Sequence, residues 1–100
     1  MKIPKKLKIG GFIYKISRDT NVADHSSSFG TTINGRQVIN ITRDVPFQKQ
    51  EQTLLHEILH AVWFVYGLKE AGYKSEQQEH IVDALSHGIY QVLKDNKMLR

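Results

Sequence analysis

The sequence contains no cysteine. A disulfide framework is therefore excluded, and any metal must be held by imidazoles and carboxylates rather than thiolates, which removes zinc fingers and iron–sulfur centres. Proline is nearly as scarce, with two in 100 residues, and no Pro/Gly/Ser-rich linker, low-complexity tract or internal repeat divides the chain. Apolar runs are short. The longest, Ala61 to Tyr66, falls far below the roughly 20 residues of a membrane-spanning helix. The N-terminal stretch MKIPKKLKIGGFIYKI is basic but lacks the continuous apolar segment of a secretory signal, so the expectation is a cytoplasmic protein with no membrane partner.

What is present describes one small domain spanning 1–100. A chain of 100 residues is too short for two separate cores, and 40% hydrophobic with 24% charged residues is an ordinary globular balance. The net charge of +4 includes Lys2, Lys5, Lys6, Lys8 and Lys15 near the N-terminus. A solvated strand explains that cluster; a patch contacting nucleic-acid phosphates is the second reading, and no recognition helix or RNA-binding signature accompanies it.

The residue style changes near Pro46, from strands over 1–45 to helices over 46–95. Lys6 to Ile9 and Phe12 to Ser17 flank Gly10-Gly11, the composition of a tight hairpin or a bulged strand. Phe29 to Ile33 and Gln37 to Thr42 flank Asn34-Gly35, which suits a type I′ turn and a second hairpin. Between the hairpins, Asp19 to Ser28 is polar and unpatterned, which reads as a surface loop, with a substrate-contacting lip as the second reading.

A helix is expected from about Phe47 to Tyr66, with Asp44 as N-cap, Pro46 near the first turn and Gly67 ending it. At about 100° per residue Leu54, Leu55, Ile58, Leu59, Ala61, Val62, Val65 and Tyr66 form a broad buried face. Ser75-Glu76-Gln77-Gln78 then reads as a capping box through Ser75 and Gln78. It opens a second helix, from about Glu76 to Lys94, with Ile81, Val82, Leu85, Ile89, Val92 and Leu93 as its buried stripe. The fold class is α+β: a small antiparallel sheet packed on the first helix, with the second helix completing the molecule.

The most informative string is His56-Glu57-Ile58-Leu59-His60, an HExxH sequence inside the first helix. A spacing of four stacks two imidazoles on one helix face, where both can reach a single zinc ion at about 2.0–2.1 Å. Glu57 lies about 100° round the helix, placed to act on water at the metal without ligating it. In a chain of this composition, with five histidines, the pattern arises by chance only about once in a hundred sequences. Two surface histidines beside an unrelated Glu would be the plain alternative. The apolar residues that bury this helix argue against it.

Catalytic zinc usually takes three protein ligands and leaves the fourth position open. Glu79, His80, Asp83 and His87 are the downstream candidates. With Glu79 at 0°, the apolar stripe of the second helix centres near 260°, so Glu79 and Asp83 (about 40°) border it while His80 and His87 (about 100° and 80°) point away. Glu79 is thus favoured as third ligand, and Asp83 as the acceptor that fixes a ligating histidine's tautomer. For an oxyanion-stabilising donor His25, Tyr66, Tyr73, His87 and Tyr90 are all available, and Tyr90, at about 20°, is the mildest favourite. Trp63 and Phe64 read as core or pocket walls, and His25 as solvated.

His56-Glu57-x-x-His60, eighteen intervening residues (61 to 78), then Glu79-x-x-x-Asp83 resembles the gluzincin metallopeptidases. The resemblance implies that His56, His60 and Glu79 bind zinc, that Glu57 is the general base and that Asp83 supports a histidine. From the short sheet through QTLLHEILHAVW to EHIVDALSHGIYQVLKDN, most of the chain also looks like small zincin-like proteins of phages and mobile elements of Gram-positive bacteria. Unlike large gluzincins, the expected arrangement is a single domain without a separate C-terminal subdomain. The expected function is zinc-dependent hydrolysis of a peptide or protein substrate, laid as an extra strand along a sheet edge. The alternative is a non-enzymatic, zinc-stabilised regulator contacting nucleic acid or a host protein; Glu57, which a purely structural zinc site does not need, speaks against it.

Overall fold

Gly10 and Gly11 stand at φ +58° and +88°, the left-handed pair that a two-residue type I′ hairpin requires. The turn joins β1 (Lys6–Ile9) to β2 (Phe12–Asp19), pairing Ile9 with Phe12 and Lys6 with Lys15. Gly10 is also a close approach, because a Cβ there would come within 2.3 Å of Val65 Cγ1. The computed structural model describes residues 1–20 and 29–99, so most of the loop expected over Asp19 to Ser28 lies outside the described residues.

The second hairpin joins β3 (Gly30–Ile33) to β4 (Val38–Thr42). Its connection is not the type I′ turn expected of Asn34-Gly35. Four residues intervene between the paired Ile33 and Val38, and the left-handed position is Gln37, at φ +55°. The sheet order is β1-β2-β4-β3. Its central pair corrects the antiparallel expectation, since β2 and β4 run parallel, with Lys15 opposite Val38 and Asp19 opposite Thr42. The cause is that β3 lies outside β4, so the chain passes to the sheet edge before returning beside β2. The result is a mixed four-stranded sheet in an α+β fold.

Alternation sends Tyr14, Ile16, Ile39 and Ile41 to one face of the sheet, where all four are buried. The helix α1 (Phe47–Val65) covers that face. Leu54, Ile58, Ala61, Val62 and Val65, at helical spacings, make the apolar stripe that joins the core. The helix starts at Pro46, not at an Asp44 cap: Pro46 O accepts from the N–H groups of Lys49 and Gln50 at 2.9 and 3.1 Å. Gln50 supplies the side-chain tie instead, its amide donating to Val45 O at 3.0 Å. Gly67, at φ +77°, follows the C-terminus as expected, whereas Tyr66 is exposed rather than core.

After a 3-10 turn at Leu68–Ala71 comes α2 (Ser75–Asp95). Its start is one residue earlier than expected and its cap is shifted likewise: Lys74 N–H donates to Gln77 Oε1 at 2.9 Å, which leaves Gln78 free for other work. The larger correction is the helix's rotation. Val82 and Ser86 are buried against α1, while Leu85, Ile89 and Val92 of the expected core stripe are exposed at 51, 39 and 50%. Polar partners on α1 explain it, because Gln52 Nε2 donates to Ser86 Oγ at 3.1 Å and Tyr90 donates to Glu51 at 2.8 Å. Buried polar atoms must be paired, and this rotation pairs them at the cost of leaving a stripe of apolar side chains in solvent. No helix among the described residues is long and apolar enough to cross a membrane.

Candidate metal centre

His56 and His60 lie one turn apart on α1, and their Nε2 atoms come within 3.3 Å of each other. Roughly 3.3–3.4 Å is the edge of a tetrahedron whose bonds are 2.0–2.1 Å long, the distance of histidine nitrogen from zinc. Glu79, in the second turn of α2, closes the group: Oε1 is 2.8 Å from His56 Nε2 and Oε2 is 2.9 Å from His60 Nε2. One ligand atom of each residue lies within 4.8 Å of the others, and the three could hold a metal ion. The donor set, two imidazoles and a carboxylate without thiolate, fits zinc in an open three-ligand site. The histidine side chains are 15 and 19% exposed and Glu79 is 56% exposed, so the group stands at the surface end of the interface between the helices.

The far nitrogens of the histidines are also met. Asp83 Oδ1 is 3.5 Å from His56 Nδ1, as the spacing of one turn from Glu79 predicts. The Gln78 amide lies 3.3 Å from His60 Nδ1. Sequence reasoning missed Gln78, having assigned it to a cap; the one-residue shift of the α2 start releases it. His80 points elsewhere, into a separate surface hollow with Tyr73 and Gln77. His87 also stays outside, its Nδ1 2.8 Å from Asp83 O.

Glu57 is 6% exposed and its Oε1 accepts from Thr32 Oγ1 at 2.7 Å. The same hydroxyl reaches Glu57 O at 3.1 Å. This contact depends on Gly30, where a Cβ would meet Thr53 Cγ2 at 2.8 Å and Glu57 Cγ at 3.0 Å. Without a side chain at that position, β3 lies directly on the HExxH helix, and strand alternation turns Thr32 to the same side. Thr32 was also missed, although the period-two pattern from Gly30 was there to be read.

A cleft of about 670 Å³ opens over the metal group, walled by Thr31 and Thr32 of β3 and by Trp63, Phe64 and Tyr73. Trp63 and Tyr73 pack edge to face with centroids 5.6 Å apart. A smaller hollow of about 310 Å³, beside Phe29 and Lys49, shares Gly30, His56, Glu57 and Glu79 with it. The metal group therefore sits midway along a groove that follows β3. Of the five donors considered for an oxyanion, Tyr73 alone among the described residues lines the larger cleft. Tyr90, the earlier favourite, is corrected. Its hydroxyl is committed to Glu51, and eleven residues along α2 set it about 16 Å from Glu79. Tyr66 is 66% exposed, and His25 lies outside the described residues.

No protein-family model, curated protein or solved structure matches the chain. Its functional reading rests on its own residues.

Proposed function

We propose that this protein is a zinc-dependent peptidase of the gluzincin type. The observation that carries the reading is the convergence of His56, His60 and Glu79 on one point beside a buried carboxylate, Glu57, that faces the same cleft. When bound, zinc supplies polarisation of the scissile carbonyl and lowers the pKa of water. Glu57 is the general base, taking the proton from water and returning it to the leaving amine. Its Thr32 hydrogen bond occupies one carboxylate oxygen and leaves the other for the water.

The two histidines are held for the metal by their other nitrogens. With Nε2 directed to the ion, the proton on His56 Nδ1 faces the Asp83 carboxylate, 3.5 Å away, and the Gln78 amide nitrogen stands 3.3 Å from His60 Nδ1. The substrate is an extended peptide. β3 is an edge strand of the sheet, a position at which an extended peptide can add as a further strand, and the groove runs along it on both sides of the metal group. Tyr73 is the donor placed to stabilise the tetrahedral oxyanion.

The decisive experiment combines elemental analysis with cleavage of unstructured proteins by the wild type and by Glu57→Gln. One zinc in both proteins, with cleavage only by the wild type and none after chelation, is the expected result. Zinc in both and cleavage by neither would make the centre a structural site and the protein a binding module.

A further inference from the structure

A second cleft, of about 750 Å³, shares no residue with the metal groove. It lies where the N-terminal segment passes β2 and the start of α1, and five cations line it: Lys5, Lys6, Lys15, Arg18 and Arg43. Among the described residues its lining includes no carboxylate. The ion pairs among the described residues engage Met1, Lys94 and the histidines, and none neutralises these five.

Folding does not account for this arrangement. Lys6 stands directly opposite Lys15 on antiparallel strands, a like-charge pairing that destabilises a sheet. The arginines, by contrast, are fixed in place. Arg18 Nη1 donates to Oε1 of buried Gln50 at 3.3 Å, and Gln50 Nε2 reaches Arg43 O at 3.4 Å. Arg43 Nη2 in turn donates to Arg18 O at 3.0 Å. Each guanidinium has five N–H donors, so these single contacts orient the forks and leave most donors for a ligand.

The cations are spread along the strands rather than gathered at one point. Lys15 is level with Val38 and Arg43 follows five residues later, about 16 Å along the strands. A single phosphate group is much shorter than that. Successive phosphates of a polymer match it, and with no aromatic side chain in the lining the cleft has no platform on which to stack bases. We propose that this cleft binds the phosphate backbone of nucleic acid through charge, without reading base sequence. The site stands independently of the metal-centre reading.

Fluorescence anisotropy with a labelled 20-base-pair duplex of mixed sequence tests it. The expected wild-type affinity is micromolar at 50 mM salt, weakening about 10²- to 10³-fold by 200 mM, as four or five phosphate contacts require. Lys6→Gln/Lys15→Gln removes two contacts and their mutual repulsion, so the protein should stay folded by circular dichroism. It should bind at least tenfold more weakly and lower the log–log salt slope by about 1.8. Lys74→Gln/Lys97→Gln removes the same charge just beyond the two ends of α2 and should change binding less than threefold. Equal losses in the two double variants would show attraction by net charge alone and overturn the site. Unchanged binding in the cleft variant would overturn it too. Calorimetric binding of tripolyphosphate, lost in the cleft variant while the duplex fails to bind, would replace nucleic acid with a small polyanion.

Discussion

Glu51 and Glu57 are buried on the same helix, 1 and 6% exposed, yet their surroundings are opposite. Glu51 is saturated: Oε2 meets the Met1 ammonium at 3.0 Å, and Oε1 accepts from Tyr90 at 2.8 Å and Lys94 at 3.3 Å. Burial alone raises the Glu51 pKa, but these partners outweigh it and hold the carboxyl below the ordinary 4.5. The side-chain partner of Glu57 is one neutral hydroxyl, and it faces a groove beside two histidines. Burial of a carboxylate is thus no guide to its role. Partners of opposite charge surround Glu51 on both oxygens, whereas Glu57 keeps a single neutral partner at an open cleft, the setting the proposed general base requires.

The sharpest break in this comparison is Glu57→Gln. It keeps size and the Thr32 contact but cannot accept a proton, so peptide cleavage should fall by about 10²- to 10⁴-fold while zinc content and melting temperature hold. Undiminished cleavage would return Glu57 to the structural class.

Glu51→Ala should do the reverse. Removing one partner of a buried ion pair costs about 3–5 kcal/mol, visible in denaturant unfolding, with turnover per folded molecule unchanged. The pH dependence follows from the sign of the shift. A carboxyl whose folded pKa is depressed below 4.5 stabilises the protein above that value, and the contribution is lost as pH falls through the folded pKa. Wild-type stability should therefore decline below about pH 4.5 more steeply than that of Glu51→Gln.

Next in size is removal of the proposed zinc. At free zinc about 100 times Kd the ion adds about 2.7 kcal/mol, so chelation should lower the melting temperature by about 10–20 °C. Because Glu79 is on α2 and the histidines are on α1, Glu79→Ala should remove most of that dependence and His80→Ala none. Asp83→Ala and Gln78→Ala, which leave His56, His60 and Glu79, the three proposed ligands, in place, should each weaken zinc binding by about 10–100-fold.

The HExxH helix, its partner helix and Glu79 were legible because period and spacing act within one element, and helical angle alone separated Glu79 from His80. The sheet's parallel centre was not, because strand order depends on where β3 docks, and that depends on Gly30 meeting α1. The rotation of α2 was misread for a related reason. Its apolar stripe predicted the buried face, but Ser86 and Tyr90 had partners on α1 whose positions no local pattern shows. That rotation turns Glu79 and Asp83 toward the surface end of the interface and carries Tyr90 to Glu51, away from the histidine pair. Gln78 was legible only as a cap, since its second use depends on a helix start one residue earlier.

The smallest expected effect is the finest test of how Glu57 differs from Glu51. Thr32→Val keeps the shape of the side chain on β3 and removes the hydroxyl that holds Glu57 Oε1 at 2.7 Å. Glu57 then loses orientation but gains no competing charge, whereas Tyr90→Phe leaves Glu51 with two cations still in place. A hydrogen bond to a charged group contributes about 1.5–3 kcal/mol, but Glu57 borders an open groove from which water can replace the lost donor. The expected loss is therefore about tenfold or less in kcat, with KM, zinc content and melting temperature close to wild type. Thr32→Ser, which restores the hydroxyl, should recover most of the rate. If Thr32→Val instead lowered stability and left kcat unchanged, the Thr32 contact would serve only to pin β3 to α1, and Glu57 would be oriented by the metal group itself.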